Sequence, residues 1–189
     1  MDQSETAFKG LRVLDVGSFV ASPAAATVLA DFGAEVIKIE PPGRGDPYRG
    51  LYSQPGYPRS EHDYCWALDN RNKQSLALDL RRPEGQEVLH RLVRTADVLI
   101  TNTPLANRAR LGIDPGHLSR LNERLIYASF TAYGEAGAEA HMSGFDSTAW
   151  WGRSGLMEHV RPGSDRTPSR CAPGMGDHQA ALALFGAIV

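Results

Sequence analysis

Apolar positions along this chain follow two periods in alternation, and the alternation outlines the fold before any single residue does. The run LRVLDVG, residues 11–17, is continuous, short and closed by glycine, as a buried strand is. SPAAATVLADFG follows, with Ser22 suited to cap a helix, Pro23 to its first position and Gly33 to its end. AEVIKIE, 34–40, is β-branched and predicts a second strand. Residues 41–65 carry Pro, Gly, Tyr and Arg without periodicity and predict a long loop. A third strand is expected at 75–80. An amphipathic helix over 82–97 places Val88, Leu89, Leu92 and Val93 on one face. A fourth strand at 97–101, helical pieces near 104–111 and 115–121, and a fifth strand at 124–130 continue the series. Residues 145–157 look helical, 158–172 are a polar loop, and a last helix is expected from Asp177 onward.

Strand–helix–strand repetition with short connections predicts an α/β fold, a Rossmann-like open and mostly parallel sheet with flanking helices. The terminal helix has no glycine cap, basic last turn or closing proline at Val189. On that ground the chain is expected to be the N-terminal part of a longer protein.

Composition changes this picture little. The 189 residues are 42% hydrophobic and 22% charged, with a formal net charge of -2. That balance is globular, and no global charge points to nucleic acid or an acidic membrane surface. The start, MDQSETAFKG, has neither a basic segment nor an apolar core and does not resemble a signal peptide. No apolar run reaches membrane-spanning length. The two cysteines, Cys65 and Cys171, have no metal-like spacing, and a reducing, cytoplasmic setting is expected. The six histidines form no metal-ligand pattern, and the RGD within GRGD (43–46) is taken as chance.

Candidate chemistry lies in the connections. The turn after the first strand, GSFVASPAAA, lacks both the dinucleotide fingerprint and the P-loop pattern. Its small residues would still admit an anion to a helix start, or would simply pack a helix on a sheet. Arg71 and Lys73 in NRNKQS alternate on an expected extended backbone and would point the same way. They read as a phosphate clamp or as a solvated basic turn. Asn102, Arg108 and Arg110 follow a strand end, at the carboxyl edge where open α/β sheets bind ligands, although Arg110 fits a plain surface charge equally well. Asp177, in PGMGDHQAALALFGAIV, follows two glycines and opens a helix. It suits an N-cap. A carboxylate at a helix start also stays ionised and, with glycines leaving access, could act as a nucleophile.

Five ordered blocks carry more. GLRVLDVGSFVASPAAATVLADFGAEVIKIEPPGRGD, NRNKQSLALDLRRPEGQEVLHRLVRTADVLITN, RLIYASFTAYG, GFDSTAWWGRSGLM and GMGDH together resemble family III CoA-transferases, from about Gly10 to Val189. That group includes formyl-CoA and carnitine CoA-transferases and the related α-methylacyl-CoA racemases. The resemblance implies that residues 1–189 are the N-terminal part of a large domain, completed by C-terminal residues and a small domain, in an interlocked homodimer. It implies CoA transfer between an acyl-CoA thioester and a free carboxylic acid. Asp177 would be the nucleophile, passing through aspartyl anhydride and aspartyl-CoA thioester intermediates. Coenzyme A would enter as substrate, with no permanently bound cofactor and no metal. It assigns CoA contacts to Val20, Ala21, Lys73, Asn102 and Arg110, beside the Arg71 suggested by spacing.

Two positions depart from the pattern: Pro41 stands where some members have a basic residue, and Thr103 where an aromatic is common. Racemases place a histidine before the aspartate of the GFD block, and Phe145 cannot move a proton. Phe145 and Asp146, with WW and GDH, look closer to transferases acting on 2-hydroxy or aryl acids. Trp150 is a further candidate for the acyl pocket. A racemase, or a CoA-binding fragment in which Asp177 only caps a helix, are the alternatives.

Overall fold

The computed structural model describes residues 6–189; part of the polar start considered above therefore lies outside the described residues. Five strands form one wholly parallel sheet: β1 Arg12–Asp15, β2 Glu35–Glu40, β3 Gln74–Ala77, β4 Val98–Thr101 and β5 Ile126–Ser129. Their order is β3-β2-β1-β4-β5. Val13 sits between Val36 and Val98, and Leu99 pairs with Tyr127, so the central strands are buried on both faces. Continuous apolar runs suit such strands because no face meets water.

The helices divide between two layers. On one face α1 (Ala21–Asp31) and the long α7 (Met175–Ile188) cover Val13, Val36, Val98 and Ile100, with Leu29, Phe185 and Ile188 filling between. On the other, α3 (Pro83–Val93) and α5 (Pro115–Leu121) cover Leu14, Ile39 and Leu99 through Leu89, Val93 and Leu118. The order in which strands are added reverses between β1 and β4, the parallel neighbouring central strands whose crossovers leave in opposite directions. Ligands in open α/β sheets lie at the carboxyl ends of such a pair. That crevice is bordered here by the turn 16–20 and by Asn102.

Several local expectations need correction. Ser22 does not cap α1: the helix begins at Ala21 with Val20 before it, and Ser22 is buried inside the first turn. Gly33 does follow the helix end, at φ 99°. A seven-residue helix, α2 (Tyr64–Asn70), stands where the irregular stretch was expected to end; Asp63 caps it by accepting from the Trp66 amide at 2.9 Å. Asn72 adopts φ 61°, so Arg71 and Lys73 do not alternate on an extended strand. The expected helix over 145–157 is a π-helical turn at Asp146–Gly152 followed by the short α6 (Leu156–His159). One further short helix, α4, spans Leu105–Arg108.

Candidate active site

Gly17 lets the chain leave β1 tightly. A side chain there would meet the Ser22 Cβ at 2.5 Å and crowd Asn102 and Asp15. Phe19 then takes φ 59°, a left-handed value that is unfavourable for an aromatic residue. Its amide donates to Asp46 at 3.1 Å, which helps hold it there. Asn102 clasps the same turn from β4, accepting from the Ser18 amide at 2.9 Å and donating to its carbonyl at 2.8 Å. The predicted positions Val20 and Ala21 are thus fixed and buried at the head of α1, Val20 in a cluster with Tyr48, Cys65 and Ala181.

Beneath this turn lies a charged cluster. The Lys38 ammonium donates to the Gly17 carbonyl at 2.7 Å and lies 2.9 Å from Asp46 and 3.5 Å from Asp15. The Lys73 ammonium is 2.9 Å from Asp15 and also donates to the Pro23 and Asp69 carbonyls and to Asn70. Burial pushes the Asp15 carboxyl up, but the two lysines and the Gly17 amide override it and hold it below its ordinary value. Lys73 is therefore a buried brace under the turn, its side chain 2% exposed. Arg71 points elsewhere, pairing with Asp31 at 2.5 Å on the surface. Arg110 is exposed and weakly linked to Asn107. The buried arginine of that segment is Arg108, which donates to the Thr103 carbonyl, Ser129 and Glu135.

A cleft of about 180 Å³ opens at the carboxyl ends of β2 and β3, lined by Glu40, Pro41, Arg44, Arg49 and Ser75. Arg49 is fixed there by Glu40, at 2.7 and 2.8 Å, and lies over the Trp66 ring.

Asp177 occupies the first turn of α7 but does not cap it. Gly174, at φ 72°, is the N-cap residue and lends no side chain. Gly176 brings the turn against Asp146 and Trp150: a Cβ would meet their atoms at 2.9 and 2.8 Å. One Asp146 oxygen is buried without a hydrogen-bond partner. Burial, joined by the Asp146 and Asp69 carboxylates, pushes Asp177 up to about 6 against the opposing His178 charge. The favourable helix dipole, a fraction of a kcal/mol to about 1, is outweighed here. At pH 7 the group is still mostly carboxylate, and a more basic one than an ordinary aspartate.

Phe145 and Trp150 complete the surroundings. Phe145 is 67% exposed and meets the exposed Phe19 edge to face, with centroids 6.5 Å apart. Trp150 stacks on Trp151, whose indole donates to the Ser169 carbonyl at 2.8 Å. The structure thus brings Asp177, Asp146 and Trp150 together and links Phe145 to the β1 turn; it leaves Arg71 and Arg110 on the periphery.

Three neighbours were missed in the sequence. The His178 Nδ1 lies 2.8 Å from the Gly174 carbonyl and its Nε2 2.9 Å from Asp69, while the Tyr48 hydroxyl donates to the other Asp69 oxygen at 2.8 Å. GDH names the histidine, but nothing in the spacing joins residue 178 to residues 48 and 69. Among the described residues no three His, Cys, Asp or Glu side chains converge as a metal-ligand set, and no helix is long and apolar enough to cross a membrane.

The family model described as CoA-transferase family III matches residues 8–189. The chain is 37% identical over 185 residues to the cinnamoyl-CoA:phenyllactate CoA-transferase of Clostridium sporogenes, covering 97% of this chain and 44% of that protein. It is 34% identical over 181 residues to the succinyl-CoA:glutarate CoA-transferase of Mus musculus, covering 96% of this chain and 40% of that protein. A CAIB/BAIF family protein from Brucella suis superposes with a TM-score of 0.85 at 33% identity, covering 97% of this chain and 48% of that one. The chain thus spans less than half the length of these relatives.

Proposed function

The chain belongs to CoA-transferase family III, and from that membership we propose that it moves CoA between an acyl-CoA thioester and a free carboxylic acid, with Asp177 as the nucleophile. The observation that carries the reading is the Asp177 carboxylate itself: half-buried beside Asp146 and raised to about 6. Such a group is ionised at neutral pH yet more basic than a solvated aspartate, which suits attack on a carbonyl carbon.

The steps balance without a net proton. An Asp177 oxygen attacks the thioester carbonyl and expels CoA thiolate, leaving an aspartyl–acyl anhydride. The thiolate attacks the aspartyl carbonyl, releases the donor acid as carboxylate and leaves an aspartyl-CoA thioester. An acceptor carboxylate displaces the thiolate to form a second anhydride. The thiolate then attacks the acceptor's acyl carbon, freeing the new acyl-CoA and the Asp177 carboxylate. CoA is consumed and returned as substrate, and no resident cofactor or metal takes part.

In this reading the β1 turn at Val20 and Ala21 receives CoA at the crevice, with Asn102 and Lys73 holding that turn rigid from either side. Arg44, at the cleft beside Pro41, supplies positive charge near the position where the expected basic residue is missing. Arg71 and Arg110 sit peripherally and would act on phosphate only at long range. Phe145 and Trp150 offer an aromatic wall for the acyl group, in keeping with an aryl or 2-hydroxy acid. The whole protein would work as a homodimer in the cytoplasm.

The test is mass analysis of CoA thioesters after incubation with an acyl-CoA and a second acid in deuterated water. CoA should appear on the second acid with no deuterium in the acyl chain. Asp177→Asn should lose at least about a thousandfold in kcat, since an amide cannot form the anhydride. Deuterium at the α-carbon without transfer would instead establish an isomerase and overturn the reading.

A further inference from the structure

Both ring nitrogens of His178 face atoms that can only accept. The Gly174 carbonyl, 2.8 Å from Nδ1, has no proton to give, so Nδ1 must carry one. Asp69 lies 2.9 Å from Nε2 and is 1% exposed. Its other oxygen already accepts from the Tyr48 hydroxyl, as an ionised carboxylate would. A buried carboxylate needs a cation, and the imidazolium is the one within hydrogen-bond reach. The Lys73 ammonium reaches only the backbone carbonyl of Asp69.

We propose that His178 is a positioning residue for Asp177: an imidazolium held between Asp69 and Gly174 that clamps the first turn of α7 to α2 and lends its charge to the neighbouring carboxylate. This inference rests on the reading of Asp177 as the nucleophile. The clamp is needed because Gly174 offers α7 no side-chain cap and both glycines of GMGD leave the backbone loose. The His178 ring closes on the same carbonyl that accepts the His178 backbone amide at 3.0 Å, so the turn is held twice. The Asp69 carboxylate then ties that turn to the end of α2.

The charge also bears on chemistry. Asp146 and Asp69 both disfavour the Asp177 carboxylate, and His178 is the cation that favours it. Burial works against charge on His178, but the hydrogen bond and attraction to Asp69, the Gly174 carbonyl and Asp177 raise it above its ordinary value. The ionisable groups around this centre are Asp69 from α2, Tyr48 behind it, Lys73 after α2, Asp146 from the π-helical turn, Asp177 on α7, and Cys171, which both Asp146 and Asp177 influence.

The experiment pairs a spectroscopic reading with a kinetic one on the full chain. With nitrogen-15 histidine, long-range proton–nitrogen spectra should show both His178 nitrogens protonated to a higher pH than in free histidine, and Asp69→Asn should return the ring to a neutral tautomer at lower pH. In His178→Gln the acid limb of kcat/KM should move upward, so that the rate at pH 6 falls about three- to tenfold relative to the plateau at pH 8. The plateau kcat should fall about tenfold with KM within threefold. Asp69→Asn/His178→Gln removes both charges of the pair while keeping hydrogen-bonding groups; if His178→Gln alone folds poorly, it should still move the acid limb upward, by less, because the Asp69 charge that disfavours the Asp177 carboxylate is lost as well. A His178 ring that loses its proton no later than free histidine does, or an unmoved acid limb with kcat within twofold in an active enzyme, overturns the inference. A wild-type chain whose transfer activity survives Asp177→Asn overturns the reading of Asp177, and with it this role, whatever the His178 spectrum shows.

Discussion

Asp15 and Asp177 are both aspartates withdrawn from water near the head of α1, and they respond in opposite ways. Asp15 is completely buried, lies 2.9 Å from Lys73 and 3.5 Å from Lys38, and is held below its ordinary value. Asp177 is only half-buried, faces the Asp146 and Asp69 carboxylates with His178 as its counterweight, and is pushed up to about 6. Burial raises both acids, so depth does not separate them. The number and sign of the charges placed around each does. Asp15 is a finished structural centre, with its charge matched and its acceptors filled. Asp177 is left under-compensated, which costs stability and makes the carboxylate more basic than an ordinary aspartate.

Removing Asp15 should give the largest stability effect. Asp15→Asn leaves Lys38 and Lys73 crowded beneath the turn with Asp46 and backbone carbonyls as their main partners. Breaking a buried pair in this way costs about 3–5 kcal/mol, readable as a lower urea midpoint at pH 7. A loss below about 1 kcal/mol would show that the cluster is not the brace of the β1 turn and would collapse the contrast with Asp177. The wild-type pH profile gives a second reading. Because Asp15 is depressed in the folded state, its contribution is complete above the unfolded value of 3.8 and is lost as pH falls below it.

The sheet was largely legible because its signals are local. LRVLDVG, AEVIKIE and DVLIT are apolar runs of strand length, and the helices between them carry their own periodicity. α2 was not, although Asp63 three residues before Trp66 is a cap signature. Its tyrosine-rich approach and short length hid it. Asn72 turns left-handed after α2 and so sends Arg71 to Asp31 and Lys73 into the core, a divergence that residue spacing cannot reveal. Asp177 stands out by its glycines and by a resemblance, but its value near 6 comes from burial in the folded chain and from Asp146, thirty-one positions away. His178 and Asp69 are further apart still. Charge matching in this site is tertiary throughout, which is why the sequence pointed to Asp177 and missed what surrounds it.

A smaller effect is expected from Asp177→Asn, and its sign is opposite to that of Asp15→Asn. Asp177 binds its proton more tightly when folded, at about 6 against 3.8 unfolded. Wild-type stability therefore falls as pH rises from about 4 through 6 and is level above that. The variant lacks this penalty, and because Gly174 is the N-cap residue it loses no capping bond. The Asp177→Asn variant should thus be the more stable, by on the order of 1 kcal/mol at pH 8 once solvent screening of a half-exposed group is allowed for. The gap between the two denaturation midpoints should close at pH 4. A variant less stable at pH 8 would mean that Asp177 is supported by its surroundings much as Asp15 is.

The smallest effect belongs to the pair outside both centres. Arg71 grips Asp31 with two nitrogens, at 2.5 and 3.1 Å, and Asn72 adds a bond to the same carboxylate at 2.7 Å. On paper this is more hydrogen bonding than Asp177 has. Water, however, solvates Arg71 and Asp31 almost as well when they part, and their side chains give up rotamer freedom to meet. Arg71→Ala should therefore change stability by no more than about 0.5 kcal/mol, and the change should shrink further in 0.5 M salt. A loss approaching that of Asp15→Asn would show that Arg71 joins α1 to the end of α2 as a structural member. The distinction between matched burial and mere pairing, on which the contrast of Asp15 with Asp177 depends, would then need a different basis.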